Sequence, residues 1–149
     1  MALSIQRSAV LTLLMPASIA AAQMNLGELL DAGGKRISGQ EFRQDLVGRS
    51  IVGPGAAGNV LDVVYLDSGE IRGVGSNTMM GGAFAPNVNY EVRGSWKIDE
   101  PQRICATMVV GTVVLPSRCQ YWYRFDQQYF LSDSDSDRSA RVLRRTVKR

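Results

Sequence analysis

The chain carries 149 residues, 17 Lys and Arg against 14 Asp and Glu for a net charge of +3, and no histidine. Its length favours one domain with a modest core, and its near balance of charge gives no general affinity for polyanions, so nucleic acid is not an expected partner. The missing histidine excludes Ser-His-Asp and Cys-His catalysis and nearly all the usual zinc and haem ligand sets. Carboxylates are left as the route to any hydrolysis, and no metal or cofactor is expected.

Met1 to Arg7 supply a short start with one positive charge, residues 8–17 an apolar stretch, and Ala20-Ala21-Ala22 the small side chains that signal peptidase selects. Residues 1–22 are therefore expected to be a signal peptide cleaved between Ala22 and Gln23. The apolar run is shorter than the roughly 20 residues that span a bilayer. Pro16 breaks it and no cysteine follows the cleavage site, so neither a stable membrane anchor nor a lipid anchor is expected. The protein is expected to be exported, to the periplasm first and secreted second. Residues 23–149 keep 16 basic against 14 acidic side chains, and Arg141, Arg144, Arg145, Lys148 and Arg149 read as a solvated terminal strand and tail. An oxidising compartment predicts a disulfide between Cys105 and Cys119. Closing the loop of thirteen residues between them stabilises a fold by about 3 kcal/mol.

Two short helices come first. Asn25 can cap residues 26–32, where Leu26, Leu29 and Leu30 share one side and Gly33-Gly34 ends the segment. Ser38 and Glu41 form a capping box, Phe42 and Leu46 an apolar stripe, and Gly48 a C-terminal stop. Residues 23–48 are thus a helical segment expected to cover an edge or mouth of the domain formed by residues 49–149.

From Arg49 the pattern alternates, with Gly and Asp punctuation. Strands are predicted over 59–66 and 70–74 around the turn Asp67-Ser68-Gly69, then over 90–98, 104–110, 113–115, 119–125, 128–131 and 140–147. In the third of these Tyr90, Val92, Gly94, Trp96 and Ile98 share one face. The expected fold is mainly β: an antiparallel meander of seven to eight strands forming a small barrel or curled sheet, preceded by two short N-terminal helices. Residues 76–89, rich in Gly, Asn and Met, are expected to form a mobile loop at the barrel mouth.

Several motifs have plain readings. The run 53–58 matches GxGxxG, but the strand-forming Val60, Val63 and Val64 follow where a dinucleotide site needs a helix, so it reads as an inter-strand loop. Asp133, Asp135 and Asp137 have the spacing of a calcium loop, yet Arg138 and Arg144 stand where glycine and glutamate belong, and a solvated hairpin tip is expected. Asp62 with Glu70 or Glu91 is the remaining candidate for paired carboxylates, against the simpler reading of a carboxylate facing water. Tyr65, Trp96, Tyr121 and Tyr123 either fill the interior or line a ligand pocket, filling being the simpler case. Trp122 alternates with Tyr121 and Tyr123, which predicts an exposed aromatic suited to partner contact.

Ile37-Ser38 with Glu41-Phe42-Arg43, the run from Leu46 to Gly53, the turn from Leu66 to Gly73, Gly94-Ser95-Trp96-Lys97-Ile98, Ile104-Cys105 and Cys119 resemble a family of small exported proteobacterial proteins of unknown function. The resemblance implies a lipocalin-like or protease-inhibitor-like β-barrel and brings no catalytic residues. The chain departs from the pattern in residues 76–89 and 108–117. The expected function is that of a non-enzymatic binding protein holding a small apolar or amphipathic molecule. A proteinaceous inhibitor or envelope protein-interaction module is the alternative. A hollow interior marks the first, a filled barrel with a protruding rigid loop the second.

Overall fold

The computed structural model describes residues 24–55, 59–76, 88–100 and 102–148. They form α1 (Leu26–Asp31), β1 (Lys35–Arg36), α2 (Gly39–Leu46), β2 (Ser50–Pro54), β3 (Val60–Tyr65), β4 (Glu70–Ser76), β5 (Asn89–Asp99), β6 (Arg103–Val110), β7 (Val113–Val114), β8 (Arg118–Phe125), β9 (Gln128–Ser132) and β10 (Val142–Val147). The expected signal peptide with Ala22 and Gln23, and residues 77–87 of the expected mouth loop, lie outside the described residues.

Eight strands close into an antiparallel barrel in the order β2-β3-β4-β5-β6-β8-β9-β10, with β10 returning to β2. The sequence alternation sets the register. Val92 and Trp96 of β5 are buried while Glu91, Arg93 and Lys97 face water, and Leu61, Val63 and Tyr65 of β3 are buried while Asp62 and Val64 are not. Gly69 closes the β3–β4 hairpin at a φ of +87°, in the left-handed region that glycine enters without steric cost.

Closure rests on a short seam. β6 meets β8 through three opposed pairs, Ile104 with Gln120, Cys105 with Cys119 and Ala106 with Arg118. Cys105 and Cys119 are joined by a disulfide in the middle of it. Further along the same edge of β8, β1 takes over, pairing Lys35 with Arg124 and Arg36 with Tyr123. At the other end β6 turns to β7, pairing Val109 with Val114 and Val110 with Val113. β1 and β7 therefore lie outside the ring. The two-residue β1 lies between the two helices.

Both helices start on capping boxes, Asn25 with Glu28 and Ser38 with Glu41. α2 lies over one end of the barrel and buries Phe42 and Leu46 fully. Burying such side chains is worth about 1.5–3 kcal/mol each. The Phe42 ring meets Tyr65, Trp96 and Trp122 at centroid distances of 5.4, 5.3 and 5.1 Å, in tilted or edge-on geometry. α1 instead packs on the outside of the wall, where Leu26 and Leu29 cover Tyr121, Tyr123, Phe130 and Val142.

That outer layer reverses the expected facing of β8. Trp122 is 2% exposed and points into the barrel against Phe42, so it is not a surface contact residue. Tyr121 and Tyr123 point outward under α1 and do not line the interior. A strand covered on one face by the barrel core and on the other by a helix has no wet side to identify.

Candidate functional site in the open half of the barrel

Among the described residues, the barrel is filled at one end and hollow at the other. Tyr65, Trp96 and Trp122 close around Phe42 under α2. Beyond them a cavity of about 400 Å³ opens toward the opposite mouth. Its inner wall is made by Tyr65, Ile104 and Leu131, its sides by Leu61, Ala106, Met108 and Leu143, and its rim by Pro54, Leu115, Pro116, Arg118 and Gln120. The physical reason for the difference is side-chain size. Inward positions near α2 carry large rings, whereas toward the mouth they carry Leu, Ala, Met and glycine, which do not meet across the axis.

Arg145 stands in this cavity wall. Leu143 and Val147, two residues either side of it, pack against the barrel core, so strand alternation turns Arg145 inward. Gly53 on neighbouring β2 makes the space: a Cβ there would lie 2.5 Å from Arg145 Nη1 and 2.7 Å from its Cδ. Burial lowers the pKa of the Arg145 guanidinium from its ordinary value. The Tyr65 hydroxyl is pushed up to about 12 by burial, with the Arg145 charge pulling partly the other way. At neutral pH the wall therefore presents an un-ionised phenol and a charged guanidinium, both hydrogen-bond donors.

At the rim, Arg118 and Gln120 both donate to Asp133, at 3.0 and 2.9 Å. The other two acids of the expected tip go elsewhere. Asp135 accepts from Arg36, and Asp137 accepts from the Ser139 backbone N–H and hydroxyl. No calcium-like convergence of the three is formed. Asp99, Cys105 and Cys119 lie close together, but both sulfurs are committed to the disulfide, which leaves no thiolate to bind a metal.

Of the candidate binding residues Tyr65, Trp96, Tyr121, Trp122 and Tyr123, Tyr65 alone lines the cavity; Trp96 stands behind it, its indole N–H donating to the Leu66 carbonyl at 2.8 Å. Asp62 is on the outer wall, where it accepts from the Ser50 hydroxyl and the Lys148 ammonium. Those bonds, Lys148 first, hold its carboxyl below the usual range. Glu70 pairs with Arg72 and Glu91 with Arg93, so the three acids are not assembled as a carboxylate pair. Arg145, Leu61, Ile104, Met108, Leu131 and Leu143 were not singled out in the sequence as site residues. The parity of Leu143, Arg145 and Val147 was the available signal for the arginine.

No family model matches the chain, and no curated protein or solved structure matches it. The barrel and its disulfide rest on the structure itself.

Proposed function

We propose that the protein is an exported, non-enzymatic β-barrel binding protein that holds a small apolar or amphipathic molecule in the open half of its barrel. The cavity carries this reading. Its volume of about 400 Å³ lies within the roughly 300–1,000 Å³ typical of small-molecule sites. Its wall is mostly apolar with a few convergent polar groups, the usual make-up of such sites. The alternative, an inhibitor or envelope interaction module, goes with a filled barrel, and the hollow mouth favours the ligand reading.

Export is supported by the leader-like residues 1–22 and by the Cys105–Cys119 disulfide, which persists in oxidising compartments. Among the described residues no helix is long and apolar enough to cross a membrane. The resemblance to small exported proteobacterial barrels points the same way. Native mass spectrometry of protein purified from its own host's envelope tests the reading. A small molecule retained on the folded chain and released on unfolding is the expected result; a stoichiometric protein partner on an otherwise bare chain would overturn it.

A further inference from the structure

Resting on that reading, we infer that the ligand is an acidic amphiphile, its anionic headgroup held by Arg145 and its apolar body lying in the cavity. Three inward positions of the barrel carry arginine, and the contrast between them motivates the inference. Arg118 at the rim is paired with Asp133, and Arg124 at the α2 end with Asp45. Arg145 has no carboxylate partner among the described residues. Its hydrogen bond within the fold goes to the neighbouring Arg144 carbonyl at 3.1 Å.

Arg145 is half-buried in the cavity wall, and a charge partly withdrawn from water without a counter-ion is costly; proteins ordinarily pair it or leave it at the surface. Here the fold does the opposite. Glycine at position 53 leaves room beside the arginine, since a Cβ there would crowd its Nη1 and Cδ and the Arg144 carbonyl oxygen, and Leu143 and Val147 fix its inward parity. The guanidinium fork matches two oxygens of a carboxylate, sulfonate or phosphate, and it lines the same apolar space as the un-ionised Tyr65 hydroxyl, a second donor. A neutral apolar ligand would leave that guanidinium unpaired. An acidic headgroup on an apolar body satisfies it.

The test uses two fluorescent probes that share one ring system, anilinonaphthalene sulfonate and neutral N-phenylnaphthylamine, titrated into the folded, disulfide-bonded protein and competed against each other. The expected result is binding of both at one site, with the sulfonate preferred by about tenfold or more. Arg145→Met should bring the affinities of the two probes to within about threefold of each other, and Arg145→Lys, which keeps the charge without the fork, should keep part of the preference. Equal affinities in the wild type, or a preference that survives Arg145→Met, would overturn the headgroup assignment and leave the cavity reading in place. Failure of the wild type to bind either probe would overturn both. The wild-type comparison stands even if Arg145→Met does not fold.

Discussion

Removing the disulfide should loosen the barrel at its seam and weaken ligand binding together. The perturbation is the double substitution Cys105→Ala with Cys119→Ala, which eliminates a bond between residues 14 apart in sequence. Constraining a loop of that size is worth about 3 kcal/mol in the chain-entropy model. For a domain of this length, about 3–5 °C of melting temperature accompanies each kcal/mol, so a fall of about 10–15 °C is expected. The structure localises the effect. The bond sits in the middle of a pairing only three residues long, and Ile104, Ala106, Arg118 and Gln120 around it all line the cavity. N-phenylnaphthylamine affinity should therefore drop in the double variant under conditions where circular dichroism still reports a folded barrel. A double variant with unchanged melting temperature and unchanged probe affinity would refute the role assigned to the seam.

Phe42→Ala should cost about 3–5 kcal/mol, because the ring is fully buried against Tyr65, Trp96 and Trp122. Both tryptophans of the chain lie in that cluster, so urea unfolding followed by tryptophan emission reads the stability and the local loosening at once. Alkaline pH should destabilise the fold through Tyr65. Its hydroxyl ionises near 10 in the unfolded chain and about 12 in the fold, so the contribution is complete below pH 10 and lost as pH rises toward 12. The two-unit difference corresponds to roughly 2–3 kcal/mol, and Tyr65→Phe should flatten that part of the stability profile. Asp62 acts in the acid range. Its lowered pKa contributes stability above the ordinary carboxylate value that is lost as pH falls through the folded one, and Asp62→Asn should reduce the acid dependence of the urea midpoint.

Much of the architecture was readable because local signals agreed with the tertiary ones. The Ser38–Glu41 capping box, the Asp67-Ser68-Gly69 turn and the alternation of Val92 and Trp96 each depend on neighbours close in sequence, and each holds in the fold. The inversion of Trp122 with Tyr121 and Tyr123 has a different origin. Which face of β8 is the interior depends on where α1 lands, and with three adjacent aromatics both faces are apolar. Arg145 was hidden for a related reason. Grouped with Arg141, Arg144 and Lys148 it looks like part of a solvated charge cluster, and the alternation with Leu143 and Val147 that turns it inward gains meaning once β10 is paired with β2 beside Gly53. The cavity itself depends on whether side chains from opposite walls meet, and no single strand contains that information.

The hollow half of the barrel is best probed by filling it. Ala106 lies on the cavity side at the seam, and Ala106→Trp places a large ring into the space without removing any existing contact. Fluorescence titration with N-phenylnaphthylamine should show saturable one-site binding to the wild type and its loss in Ala106→Trp, with the melting temperature of the variant close to or above the wild-type value. Saturable binding that is equally strong in both proteins, or none in the wild type, would contradict a ligand site inside this barrel.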